Sequence, residues 1–489
     1  MIVLGIDIGT TGTKVIAIDE LGKIVGYGYQ GYGLITLCEG WVEQDPLVWY
    51  DSAASAVRQA IQNCDKYQVA ALSLSTQGAS SFLASADFQP LTNAITWLDK
   101  RSSKQMEDLS SILGEEYIYR TTGWKPHPSL DMAKFRWIIE NNHDLYVKAA
   151  YFMSTIDYMN CRLVGQNVID PTNAAIRQLM NIWTGDWDHP ILEAIGADRC
   201  KLAQILPSAT FLGNLLKKSA EDFGLHEKVR VYNGGHDQYC GLLGAGVSNP
   251  GEVLLSTGTA WAVTAVTNHP IYSKSRVAFG PHIINGKFGA MAALPISGLA
   301  LEWIKDIIGS DYNNIDQNSI GRMKKDADLM FYPYLSGAAF PLWNVRAKAS
   351  FTGLGLEHDQ YDLALATMEG VAFQARMALD EFLANDIRIA TVYMIGGATH
   401  SPIWTKIIAA LCDCDLYLME NSDSACIGAA SIAAVAEGLF GDYQQCSRSI
   451  NKATRVKTDD LKEFKAHYMH KYHEYQRTWS VLKQLYESK

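Results

Sequence analysis

The sequence predicts an α/β protein of two related domains, and three observations carry that prediction. Apolar runs of strand length alternate with helix-period segments along most of the chain. A strand, a Gly/Thr turn and a second strand occur twice, at 2–18 and at 253–266, half a chain apart. The length of 489 residues exceeds what one hydrophobic core keeps filling. Duplication of an αβ unit explains the spacing, with chance recurrence of Gly and Thr in turns as the alternative.

The elements follow in order. Ile2–Ile6, Gly12–Ile18 and Ile24–Tyr29 read as a strand meander whose first tip is Gly9-Thr10-Thr11-Gly12. A helical pattern covers Pro46–Ile61, then strands are expected at Val69–Ser75 and Ala94–Leu98. Helices are expected around Ser102–Leu113 and Leu130–Ile139. The Asn-, Asp-, Pro- and Trp-rich stretch between Gly165 and Pro190 reads as an irregular insertion outside the core. Val229–Tyr232 is a buried strand entering Asn233-Gly234-Gly235-His236-Asp237, and Val253–Thr259 with Ala260–Val266 forms the second hairpin. Asp359–Leu383 is a long helix, Thr391–Ile395 a strand ending at Gly396-Gly397, and Pro402 opens another helix. Ala425–Gly438 and Asp459–Leu485 finish the chain as helices, the last charged and expected at the surface.

Composition excludes several function classes. Lys plus Arg total 42 against 52 Asp plus Glu, a net charge of −10 that disfavours general attraction to nucleic acid or anionic membrane. The nine cysteines lack zinc or redox spacing, so free thiols and a cytoplasmic protein are expected. The apolar segment Ile427–Phe440 is too short to span a bilayer and contains Glu437.

Several residues could carry chemistry. In Gly9-Thr10-Thr11-Gly12-Thr13-Lys14, small residues let backbone amides approach an anion, hydroxyls can donate, and Lys14 supplies a cation. Those features suit phosphate, although a hairpin rich in turn formers with an edge lysine has the same composition. Asp7 could hold Mg²⁺ through water, because that ion takes one or two carboxylates and keeps most of its waters. Asp237, after two glycines at a strand's carboxyl end, could accept a hydroxyl proton, but Asp there is equally a favoured N-cap. His236 could bond a substrate hydroxyl or be structural. Trp97 and Asp99, with Lys100 and Arg101, could stack on and hydrogen-bond a polyol, and Gln77 and Gly78 could line the same mouth. Gly397 and Ala398, ahead of the helix from Pro402, would let a nucleotide rest against backbone, or form only a tight connection.

Taken in order, these segments resemble the FGGY family of carbohydrate kinases, within the superfamily of sugar kinases, actin and heat-shock chaperones. The likeness rests on Leu4–Lys14, Gly234–Gln238, Leu255–Thr259, Glu369–Phe373 and Gly396–Trp404. It implies two actin-like (ribonuclease H-like) domains with a central cleft: residues 1–246 for sugar, the first phosphate hairpin and the base, and 247–489 for ATP. By the same resemblance Asp237 is the catalytic base and Asp7 helps place Mg²⁺. Thr10, Thr11 and Lys14 contact phosphates from one side, and Gly258 and Thr259 from the other. Gly397 and Ala398 line the adenosine site, while Gln77, Gly78, Trp97, Asp99, His236 and Gln238 join Asp237 on the sugar side.

Departures bear on substrate. Gln77 is followed by Gly78-Ala79, without the Arg-Glu of glycerol kinases, and the Met-His usual in xylulokinases is missing there. The His236-Asp237 pairing resembles kinases of deoxyketoses such as fuculose and rhamnulose, whereas Trp97 and Asp99 resemble xylulokinase-like enzymes. The Glu-Arg common after the equivalent of Gly337 is absent too. The expectation is an ATP- and Mg²⁺-dependent kinase of a pentulose such as D-xylulose, with another ketose, gluconate or erythritol as alternatives. A non-catalytic ATP switch or sugar sensor is the competing class. Homodimers are expected only by analogy with relatives.

Overall fold

The computed structural model describes residues 1–323, 328–457 and 462–487. Residues 459–461 of the last expected helix lie outside them.

The first sheet grows from the N-terminal meander. Strands β1 (Ile2–Ile8), β2 (Gly12–Asp19) and β3 (Ile24–Gly31) are antiparallel neighbours. Helix α1 (Leu47–Ala60) packs on the far side of the hairpin and leads to β4 (Val69–Thr76), parallel to β1. Strands β5 (Phe211–Asn214) and β6 (Arg230–His236) complete the order β5-β6-β4-β1-β2-β3. Gly234 is required here, since a Cβ on it would lie 1.8 Å from the Leu74 carbonyl oxygen of β4.

The second half repeats this plan. Strands β7 (Glu252–Thr257), β8 (Trp261–Thr267), β9 (Ala278–Pro281), β10 (Phe288–Leu294), β11 (Thr391–Gly396), β12 (Asp415–Met419) and β13 (Ala453–Arg455) stand in the order β9-β10-β8-β7-β11-β12-β13. In each sheet an antiparallel trio, extended in the second by the antiparallel strand β9, is followed by two parallel strands and an antiparallel edge strand. Recurrence of the hairpins is therefore duplication of a whole domain.

Two helices join the halves by exchange. Helix α2 (Asp237–Gly244) leaves the first sheet but packs Leu242 and Leu243 with Leu254, Val266 and Ile395 of the second. Helix α3 (Ser424–Ala436) leaves the second half but lays Cys426, Ile427 and Ala430 with Val3, Ile16 and Ala71 of the first. The pair meets backbone to backbone: a Cβ on Gly244 would lie 1.8 Å from the Ser424 carbonyl oxygen, and one on Gly428 would lie 1.9 Å from that of Cys240.

One sequence expectation is corrected and another is refined. The stretch 165–190 is core, not a peripheral insertion. Ile169, Ala174, Leu179 and Trp187 join the first hydrophobic core, and Asp170, Thr172, Asn173 and Arg177 are buried beside it. Its polar composition reflects buried hydrogen bonding, with Asp170 capping the short helix Pro171–Ile176 through the Thr172 and Asn173 amides. The final helix, α4 (Lys462–Glu487), is exposed along its charged face as expected, but its other face belongs to the core. Tyr468, Tyr472, Tyr475 and Trp479 recur at helical spacing along one face and are buried in the second core. Lys471 pairs with Glu369 at 2.7 Å with both side chains 3% exposed.

Among the described residues no helix is long and apolar enough to cross a membrane, and the nine cysteines are all unpaired.

Candidate active site

Both hairpin tips and the β6–α2 junction lie at the carboxyl ends of parallel strands, where open αβ sheets place ligands. In the first tip the carbonyls are tied back to protein. The Tyr32 hydroxyl donates to Gly9 O at 2.6 Å, Gln44 Nε2 donates to Thr10 O at 2.5 Å, and the Tyr32 amide donates to Thr11 O at 3.0 Å. The amides of Thr10 and Thr11 take no acceptor among the described residues. Carbonyls held away and amides left open make an anion-binding concavity. Trp97, 41% exposed, donates its indole N–H to Thr10 Oγ1 at 2.9 Å.

Behind the tip, Asp7 stands opposite Lys14 on one side and Ser75 on the other. The Ser75 hydroxyl donates to Asp7 Oδ1 at 2.7 Å. Burial, then the charge of Asp237, push the Asp7 pKa up to about 7 against the pull of Ser75 and Lys14. Lys14 reaches across the domain boundary to Asp423 Oδ1 at 2.6 Å.

Asp237 is the first residue of α2; the N-cap position belongs to His236, so the capping alternative is set aside. Its Oδ1 has no aligned hydrogen-bond partner, although His236 Nε2 lies 3.3 Å away. Burial raises its pKa to about 6, opposed by hydrogen bonding toward Gln238, while 30% of its side-chain surface stays accessible to a substrate hydroxyl. Burial also lowers His236 to about 4, so the imidazole is neutral at pH 7 and the two groups form no ion pair. The backbone N–H of His236 donates to Thr172 Oγ1 at 2.8 Å, and the Thr172 hydroxyl passes its own proton toward Asp170. The segment read as an insertion thus positions the strand end ahead of Asp237.

The imidazole lies over Gly78, where a Cβ would come 2.7 Å from His236 Cδ2 and 2.8 Å from both His236 Nε2 and Ile176 Cγ2. Gln77 is 2% exposed and donates through Nε2 to Gln44 Oε1 at 2.9 Å.

Asp99 is fully buried, accepting from the Val42 amide at 2.6 Å and from Arg101 Nη2 at 2.8 Å, so here it fixes the loop that carries Trp97. On the other side of the cleft, Gly258, Thr259 and Ala260 are exposed, and the Leu299 amide holds Thr259 O at 3.1 Å. Gly397 is exposed above Thr257, whereas Ala398 is 2% exposed inside the second core and its amide donates to Thr257 Oγ1 at 3.2 Å, bracing the hairpin.

Residues 2–244 match the N-terminal domain of the FGGY family of carbohydrate kinases, and residues 253–437 match its C-terminal domain. The chain belongs to this family. It is 26% identical over 454 residues to the xylulose kinase of Staphylococcus xylosus, covering 91% of this chain and 93% of that protein. It is 26% identical over 479 residues to the gluconokinase of Bacillus licheniformis, covering 94% and 93%. A xyloylose kinase structure from Brucella ovis superposes with a TM-score of 0.92 at 25% identity, over 99% of this chain and all of that one. As an FGGY kinase the protein is an ATP-dependent phosphotransferase acting on a sugar or sugar acid.

Sequence reasoning missed Gln44, Thr172 and Asp423. Gln44 in Glu43-Gln44-Asp45-Pro46 precedes a helix and carries no local chemical signal, and Asp423 meets Lys14 across 409 positions.

Proposed function

We propose that the protein transfers the γ-phosphate of ATP to the terminal hydroxyl of a neutral ketose, a pentulose such as D-xylulose. The observation that carries this reading is Asp237, a carboxylate of raised pKa at the start of α2 with 30% of its side-chain surface open, beside an imidazole kept neutral. The substrate oxygen forms its bond to the γ-phosphorus as the bond from that phosphorus to the leaving ADP oxygen breaks, and the hydroxyl proton goes to Asp237. Thr10, Thr11 and Lys14 steady the phosphates from the first half, Gly258 and Thr259 from the second, and Gly397 offers backbone to the nucleoside.

Asp7 and Asp237 fit a shared divalent cation, because each is raised by burial and Asp7 further by the charge of Asp237. No cluster of three or more metal-binding side chains exists among the described residues, as Mg²⁺ with one or two carboxylates, phosphates and water would require none. The cation would neutralise phosphate charge.

A neutral acceptor suits the local charges. Arg177 is held by Asp131 at 2.7 Å, and Lys134 donates to Ala79 O at 2.6 Å from a fully buried position. A sugar carboxylate would face Asp7 and Asp237 with these cations engaged. The test is ADP release with MgATP and D-xylulose, ribulose, fuculose, rhamnulose, gluconate, glycerol or erythritol, against an Asp237→Asn background. D-Xylulose or another neutral ketose should give the strongest response. Gluconate turnover above every ketose would overturn the neutral-acceptor reading.

A further inference from the structure

The side chain of Gln44 sits between the loop carrying Gln77 and Gly78 and the phosphate hairpin, and it is fully buried at the end of the strand Trp41–Gln44. Its Oε1 accepts from Gln77 Nε2 at 2.9 Å and from Trp49 Nε1 at 3.1 Å, while its Nε2 donates to Thr10 O at 2.5 Å. Two donors facing Oε1 and a carbonyl facing Nε2 fix the amide's orientation, since the flipped amide would oppose like groups at all three contacts. The result is a directed chain of hydrogen bonds, Gln77 to Gln44 to Thr10, running from the sugar side to the hairpin tip. The Gln77 amide also donates to Ile8 O at 2.9 Å, and Gly78 lies directly under the His236 imidazole. Among the described residues Gln77 Oε1 is buried without a partner, so the chain has one open end on the sugar side.

Amide chains of this kind polarise cooperatively: accepting at one end strengthens donation at the other. Other groups brace the tip, with Tyr32 holding Gly9 O and Thr11 O and Trp97 holding Thr10 Oγ1, but among the described residues Gln44 alone joins Thr10 to the Gln77 loop through side-chain hydrogen bonds. Thr10 O is also the carbonyl that must stay turned away for the Thr10 and Thr11 amides to face an anion.

We propose that Gln44 is a positioning residue that ties the sugar-side Gln77 loop to the Thr10 phosphate hairpin, so that the two substrate sites of the first domain are set together. The proposal rests on the phosphate role given to the hairpin above. Gln44 touches neither substrate and acts through Thr10 and Gln77.

The experiment is calorimetric binding of MgAMP-PNP, without sugar, to the full-length wild type, Gln44→Met, Gln77→Met and the double variant. Gln44→Met should weaken binding roughly fivefold, the worth of one neutral hydrogen bond. Gln77→Met should weaken it too, although Gln77 is on the sugar side, and the double variant should be no weaker than the stronger single. Unchanged affinity in Gln77→Met, or effects that multiply in the double variant, would overturn the proposal. If Gln44→Met fails to fold, Gln77→Met decides by itself. If MgAMP-PNP does not slow amide exchange at Thr10 and Thr11 of the wild type, the hairpin does not hold the phosphates and the phosphate role fails. Hydrogen exchange at residues 9–12 then decides, with faster exchange in Gln77→Met expected and wild-type exchange overturning the linkage.

Discussion

The two halves share one topology and differ in what they place at the hairpin. One register pair behind the first tip stand Asp7 and Lys14; at the matching step behind the second stand Ser256 and Ala262. Side chains of Gln44, Tyr32 and Trp97 brace the first tip, whereas among the described residues a single backbone amide, that of Leu299, holds Thr259 O. Duplication thus preserved the scaffold, while the charged chemistry gathered on one copy. The first half offers carboxylates and a cation in a fixed frame, and the second offers exposed backbone that can follow the nucleotide.

The largest effect expected to test this contrast is at Asp7. Asp7→Asn should lower kcat/KM on the order of 10³-fold, the scale of removing one electrostatic group from a phosphoryl-transfer site. Ser256→Ala, at the matching place, should change it little, and equal losses in steady-state kinetics would break the comparison. Next is the joint between the halves. Gly244→Val drives a side chain into the Ser424 carbonyl and should destabilise the protein by about 3 kcal/mol in urea unfolding. A wild-type midpoint would show the helix pair to be loosely packed.

The pH dependence of stability isolates Asp7 further. Its native pKa is raised from 3.8 to about 7, so between those values the native state binds more protons than the unfolded state, and this group's contribution falls as pH rises. Buried His127 and His236 pull the opposite way, which makes the Tm difference between wild type and Asp7→Asn the useful quantity. Wild type should lose ground to Asp7→Asn from pH 4 to 7, and saturating Mg²⁺ should narrow the gap; a gap independent of pH would contradict the burial of Asp7 beside Asp237. The smallest effect is at the second tip, where Thr259→Val should raise the KM for ATP about fivefold and leave sugar KM unchanged. A larger loss there than at Thr10 would reverse the assignment of rigid and adaptive sides.

Legibility in the sequence followed the range of the interactions. The meander, both hairpins and the Gly-Gly-His-Asp junction are written in consecutive residues, and the structure places them as read. In Trp-Leu-Asp-Lys-Arg the sequence does not show that Arg101 folds back onto the Asp99 carboxylate. Ala398 sits in a segment that supports the second hairpin, yet its side chain turns into the core. The stretch 165–190 looked irregular because its polar residues satisfy one another in the interior, and the last helix looked exposed because charges surround a buried aromatic face. Gln44 and Asp423 act only through partners distant in sequence, which no local pattern records.

The most direct test of the central claim compares binding with turnover in Asp237→Asn, which keeps the shape of the side chain and removes proton acceptance. Calorimetry should show MgAMP-PNP and D-xylulose bound as in the wild type while kcat falls by roughly 10²- to 10⁴-fold. Near-normal turnover with intact binding would contradict the account and remove Asp237 from the reaction.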